Sequence, residues 1–350
     1  MPFIAVHLGA GSHSSRLEKS YNKLCRKACD GGLKLLNDGA TAATAAATAC
    51  SILEQSDLTN AGIGSNIASN GDVECDASII ETSRGRGAAV GCITNTRFPI
   101  QVAGRLLAKS FDNLSHGRVA PLFLVGQGAR KFASEQNIET IPSSEMKTEQ
   151  SVRQYNRWSK IINQAGSETI SETDLDAVND TVGVICVDLK GEIAVASSSG
   201  GVAMKHPGRI GPAALIGTGI WATSCHDMKL GVCTTGTGED IISTGLAFKT
   251  VDTLVHADDE FGMLENFLNQ LNQSKAMQSQ PPSVGVLAIK TVKQQNNTCS
   301  ILLIFGHTTR SMCLAYKSDD TKSLEFVLSK SANLDGQPVI GGVMKRIHVG

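Results

Sequence analysis

The feature that most restricts the fold is one abrupt change of character. From about residue 138 to residue 180 the chain is polar, and its last stretch, from Glu168 to Asp180, carries five acids and no base. At Thr181 apolar order resumes at once with TVGVICVD, without any intervening turn residue. A long surface linker ending directly on a buried strand divides the chain into two halves that meet at a polar, protease-accessible joint. The linker is expected over about 138–180, with some helix near 152–162.

Both halves use the same grammar of strand, small-residue loop and helix. In the first, residues 3–8 (FIAVHL) form a strand, Gly9-Ala10-Gly11 break it, and an amphipathic helix runs from Leu17 through Tyr21, Leu24, Ala28 and Leu35. A second helix over 42–53 is rich in Ala and Thr and suited to close packing; strands follow at 73–80 and 87–94, then helices at 99–110 and 126–136 about a short apolar piece at 122–125. In the second half a hairpin over 182–199 precedes strands at 214–222, 229–235, 284–289, 300–305 and 312–316, with helices at 239–249 and 251–271. The sum is a layered α/β protein, and no solenoid repeat is present.

Composition removes several functions. The 350 residues are 41% hydrophobic, enough for one large core, and 32 Lys plus Arg balance 33 Asp plus Glu with no basic run, so neither nucleic acid nor a membrane is an expected partner. The start MPFIAVHLGAGS lacks a basic n-region and a long apolar run, which makes cytoplasm or nucleus, not secretion, the expected location. The ten cysteines contain no CxxC pair and read as buried thiols. Gly9-Ala10-Gly11 lacks the third glycine of a dinucleotide loop, and no Walker loop, GxSxG elbow or HExxH helix occurs.

The chemistry concentrates after residue 180. Three small-residue loops, Ser197-Ser198-Ser199-Gly200-Gly201, the Lys205 to Gly211 stretch (KHPGRIG) and Thr234-Thr235-Gly236-Thr237-Gly238-Glu239, each follow a strand. Such loops bring backbone N–H groups and hydroxyls close to a ligand. Were the bond between Asp180 and Thr181 cut, Thr181 would carry both a hydroxyl and an α-amine with a reference pKa near 8, one residue acting as nucleophile and base.

The order TVGVICVD, SSGG, KHPGRIG and TTGTGE, with VHLGAGSH, TNAGIGSN and GDVECDASII in the first half, resembles the asparaginase type 2 family of N-terminal nucleophile hydrolases. FGHTTRSMCLAY and the HPGR stretch point within it to the threonine aspartase (taspase) branch. The resemblance implies a four-layer αββα sandwich made as one precursor of a single domain, 1–350. Self-cleavage between Asp180 and Thr181 would give an α subunit, 1–180, and a β subunit, 181–350, that pair as an αβ heterodimer able to form (αβ)2. It further implies Thr181 as nucleophile, Ser199 beside its amine, Thr235 and Gly236 as the oxyanion pair, Asn60 near the site, and Arg209 with Gly200, Gly201 and Lys205 on the substrate. A guanidinium suits a carboxylate because it forms two parallel bonds to it. The loop from Leu53 to Ile63 resembles one whose carbonyls, here those of Leu53, Glu54, Ser56, Thr59, Ala61 and Ile63, hold a structural sodium; no other cofactor is implied.

The asparaginases end the arginine loop in an Asp that pairs with the substrate's free α-ammonium, whereas this chain reads Arg209-Ile210-Gly211-Pro212. The expectation is therefore a threonine endopeptidase that cuts protein substrates after aspartate. On the resemblance these are nuclear regulators such as trithorax/MLL-type methyltransferases and TFIIA. The alternative from the same fold is an asparaginase or isoaspartyl dipeptidase.

Overall fold

The computed structural model describes residues 2–163, 181–279, 281–294, 298–320, 323–332 and 336–348. Asp180 and the remainder of the expected linker, 164–180, lie outside the described residues.

The described chain begins with strand β1 (Phe3–Gly11), helices α1 (Glu18–Asn37) and α2 (Ala42–Glu54), strands β2 (Cys75–Glu81) and β3 (Arg86–Ile93) and helix α3 (Pro99–Lys109). Then come β4 (Phe123–Val125), α4 (Gly126–Glu135) and α5 (Glu149–Asn163). After Thr181 follow β5 (Val182–Val187), β6 (Ile193–Ser199), β7 (Ile220–Cys225), β8 (Met228–Gly236), α6 (Gly238–Thr244), α7 (Leu246–Val255) and α8 (Glu260–Leu271). Strands β9 (Val284–Gln294), β10 (Thr298–His307), β11 (Ser311–Ser318), β12 (Glu325–Lys330) and β13 (Val339–His348) complete it.

The strands form an eight-stranded sheet, β12-β11-β1-β5-β6-β2-β3-β4, and a five-stranded sheet, β13-β10-β9-β8-β7. Period-two alternation decides which face each side chain takes. On β1, Phe3 and Ala5 pack between the sheets against Leu287, Leu303 and Phe305, while Ile4, Val6 and Leu8 face α1, α2 and α3. On β10, Leu302 and Ile304 turn the other way, onto α7 and α8. The result is the αββα sandwich expected. Helix α1 buries Tyr21, Leu24, Cys25, Ala28, Cys29, Leu33 and Leu36, a three-to-four spacing, and α2 starts where Thr41 Oγ1 accepts the Thr44 N–H at 3.2 Å.

Several expectations need correction. The polar stretch after residue 138 is built structure as far as Asn163: Ile141 and Met146 are core residues, and α5 spans 15 residues. The helices expected at 239–249 and 251–271 break elsewhere, at Gly245, which is left-handed (φ 60°), and between α7 and α8 at His256–Asp259. The strand expected at 214–222 is β7, six residues later at its start, and strands β12 and β13 were not foreseen. All ten cysteines are free, but Cys225 is exposed.

Candidate active site

Strand β5 runs antiparallel to both β1 and β6, with His7 opposite Gly183 and Val182 opposite Ser198. The start of β5, the end of β6 and the end of β1 therefore share one edge of the large sheet. The end of β8 reaches the same edge from the facing sheet, where Thr235 Oγ1 accepts the Ala10 N–H at 3.3 Å. Thr181 sits at this meeting point, 8% exposed, on the wall of a cavity of about 810 Å³.

The structure brings Thr181, Ser199, Asn60, Gly201, Arg209 and Gly236 to that cavity. Ser199 Oγ accepts the Gly201 N–H at 3.0 Å, and Asn60 Nδ2 donates to Gly201 O at 2.7 Å, so the SSGG turn is held from both sides. Gly236 has φ 123°, and a Cβ there would fall on Ser283 O, so this corner of the cavity is open only to glycine.

Thr235, Gly200 and Lys205 lie behind the wall rather than on it. Thr235 is fully buried with its hydroxyl 3.5 Å from Thr181 O, so it is turned toward the Thr181 carbonyl. Gly200 donates its N–H to Asn60 O at 2.8 Å, and Lys205 Nζ donates to Glu74 O at 2.8 Å from a buried position. His7 is also buried against this edge. Burial, reinforced by His13, pushes its pKa down to about 3, and the nearby Thr181 backbone offsets this only in part, so the imidazole is neutral.

Another part of the cavity wall is charged. Arg209 stands on the loop after β6, which Glu74 Oε2 and Asp76 Oδ2 pin by accepting the N–H groups of Gly208 and Gly211, each at 2.8 Å. Asp76 Oδ1 accepts the Cys92 N–H at 2.9 Å. Burial raises the pKa of Asp76, while Lys205, these backbone bonds and Arg209 act against it. Glu239, at the start of α6, takes Nε and Nη2 of Arg209 at 2.7–2.9 Å. Neither Asp76 nor Glu239 was assigned a role from the sequence; the TTGTGE motif contains Glu239, and nothing local says what it faces.

The expected sodium loop has the right kind of donors. A Cβ at Gly62 would fall on Glu54 O and lie 2.8 Å from Arg97 O; one at Gly64 would fall on Thr59 O and lie 2.7 Å from Ser56 O. Carbonyls thus crowd the space that two glycines leave free. The Leu53 and Ala61 carbonyls each accept a hydrogen bond within the loop, at 3.1 Å from Ser56 N and 3.2 Å from Gly64 N. The Leu53 carbonyl also accepts Thr59 Oγ1 at 2.8 Å, which uses both its lone pairs, whereas the second lone pair of Ala61 O remains for a cation. The Glu54 side chain is buried, its Oε1 accepting Ser198 Oγ at 2.6 Å and Ile100 N at 2.9 Å, and burial pushes its pKa up to about 8.

Among the described residues no helix is long and apolar enough to cross a membrane. A family model described as asparaginase matches residues 1–320. The isoaspartyl peptidase/L-asparaginase of Xenopus laevis is 34% identical over 247 residues, covering 70% of this chain and 74% of that protein. Those of Bos taurus (35% over 251 residues, 70% and 74%) and Homo sapiens (34% over 255, 71% and 76%) are similar to it to the same degree. With a threonine opening a buried strand at the edge where two sheets meet, and with this similarity along its length, the chain belongs to the asparaginase family of N-terminal nucleophile hydrolases.

Proposed function

We propose that this hydrolase is a threonine endopeptidase that cuts after aspartate and matures by the same chemistry. The observation that carries the reading is the composition of the cavity wall: Thr181, Arg209 and Pro212 all stand on it, and none of the described lining residues is acidic. Such a wall grips a carboxylate and offers no partner to a free α-ammonium. It leaves room for a chain continuing in the N-terminal direction, and about 810 Å³ suits several residues better than one amino acid.

In maturation the Thr181 hydroxyl attacks the carbonyl carbon of Asp180. The peptide C–N bond breaks as an ester forms, and water hydrolyses the ester to leave the Asp180 carboxylate and a free Thr181 amine. In turnover that amine takes the hydroxyl proton as oxygen attacks the substrate carbonyl, then delivers it to the departing amine. Water, deprotonated by the same amine, hydrolyses the resulting ester, releasing the aspartyl carboxylate and restoring the Thr181 hydroxyl. Backbone N–H groups of the small-residue loops at the end of β8 stabilise the oxyanion. The two products stay together because their strands alternate in one sheet, β11-β1-β5-β6-β2. Sodium held by the 53–63 loop would brace Asn60 and hence the SSGG turn; its test is a higher melting temperature in sodium chloride than in choline chloride.

The names of the relatives favour a second reading, isoaspartyl peptidase and asparaginase activity. The deciding experiment gives the matured protein an internal aspartyl peptide, an isoaspartyl dipeptide and free asparagine. Cleavage of the first alone is expected; hydrolysis of the other two with the first untouched establishes the second reading instead.

A further inference from the structure

A guanidinium presents two edges that can each donate a parallel pair of N–H bonds, Nε with Nη2 and Nη1 with Nη2. Glu239 occupies the first, with Oε1 at 2.9 Å from Nε and 2.7 Å from Nη2, and Oε2 at 2.8 Å from Nη2. The group lies in a cradle of glycines. A Cβ at Gly238 would be 2.5 Å from Nη2, and Cβ atoms at Gly211 and Gly201 would be 3.0 and 3.1 Å from Nη1. Gly201, Gly211 and Gly238 all line the cavity, so the Nη1 side is the one facing it. Glu239 does not line the cavity; its side chain is 40% exposed behind an arginine that is 15% exposed.

We propose that Glu239 is a positioning residue that aims the Arg209 fork and thereby sets the length of carboxylate side chain the cavity accepts. The inference rests on reading Arg209 as the substrate clamp. Arg209 sits on a loop, and a long side chain on a loop holds one position only if something fixes its far end. Glu239 does so through the edge turned away from the substrate, leaving the Nη1/Nη2 edge at a fixed distance from Thr181. Two carboxylates then share one guanidinium, which weakens the grip on any anion and makes correct reach decisive. Aspartate reaches the fork with its carbonyl at Thr181; glutamate, one methylene longer, displaces one or the other.

The test compares kcat/KM of matured enzyme on two peptides differing only in Asp or Glu before the cut bond. Glu239→Ala should lose at least tenfold on the Asp peptide and narrow the Asp-to-Glu preference at least tenfold, because the released fork can follow the longer side chain. Glu239→Gln, which keeps an acceptor for Nη2, should recover part of that preference and covers the case in which the Ala variant folds poorly. In an Arg209→Ala background, Glu239→Ala should change the rate less than twofold. An equal loss on both peptides, or full additivity with Arg209→Ala, would overturn the proposal by reducing Glu239 to a packing residue. Failure of the underlying clamp is seen separately, as wild-type cleavage of the Asp peptide by Arg209→Ala alone.

Discussion

Two parts of the cavity wall are built on different physical principles. The part around Thr181 is neutral: Thr235, Ser199 and Asn60 exchange hydrogen bonds with backbone, His7 is held uncharged, and Gly236 and Gly201 keep the space clear. The part around Arg209 is ionic: Arg209, Lys205, Glu74, Asp76 and Glu239 lie on one loop and the elements around it. Shape governs the first and charge the second. Changes of shape should therefore hurt most near Thr181, and changes of charge most near Arg209.

The largest effect is expected at the clamp. Arg209→Ala should lower kcat/KM on an aspartyl peptide by about 3–4 kcal/mol of transition-state stabilisation, a few hundredfold, and Arg209→Lys should recover little because a point charge lacks the fork. Near-wild-type kinetics for either variant would erase the distinction between the two parts of the wall.

Glu54 tests the neutral part through pH. Its pKa of about 8 in the folded chain lies above the ordinary 4.5, so the folded state holds the proton more tightly. Stability is fullest below 4.5 and falls as pH rises toward 8. Glu54→Gln removes this titration, so the wild type should lose about 2–3 kcal/mol relative to the variant between pH 5 and pH 7. The measurement is denaturant unfolding of both proteins across that range, and parallel curves would mean the carboxyl is not held protonated.

Adding one methyl group should act next. Gly236→Ala, which puts a Cβ onto Ser283 O at φ 123°, should cost about 1–2 kcal/mol of stability and most of the activity. The same change at Gly39, also at positive φ but with open space around it, should leave activity intact. The smallest effect belongs to Ser199→Ala, which frees the Gly201 N–H: about 1 kcal/mol, read as a several-fold lower kcat with little change in melting temperature.

The same division explains what could be read without coordinates. The layered α/β class was legible because unbroken apolar runs such as those of β1 and β10 declare strands buried on both faces, while the αββα order was implied only by the family resemblance. That Thr181, Ser199 and Gly236 meet at one cavity was legible because Ser199 and Gly236 sit in loops of small residues that follow strands. The surroundings of Arg209 were half legible: Arg209 stands out in its loop, but Glu239 lies 30 positions from its partner Arg209 and Asp76 lies 135 from its partner Gly211, and no local pattern encodes such a meeting. Strands β12 and β13 were missed because half-exposed outer strands lack a clean apolar alternation. Helix α5 was underestimated because its polar composition imitates a linker, although Trp158 and Ile162 line the cavity.

The central claim is that Thr181 becomes a chain terminus and works from there. Mass spectrometry of the purified protein under denaturing conditions tests it most directly. The account predicts two chains with the masses of residues 1–180 and 181–350, the second beginning at threonine, and a single intact chain for Thr181→Ala. An intact wild-type chain that hydrolyses its substrate, a cut at another bond, or normal cleavage in the Ala variant would contradict it.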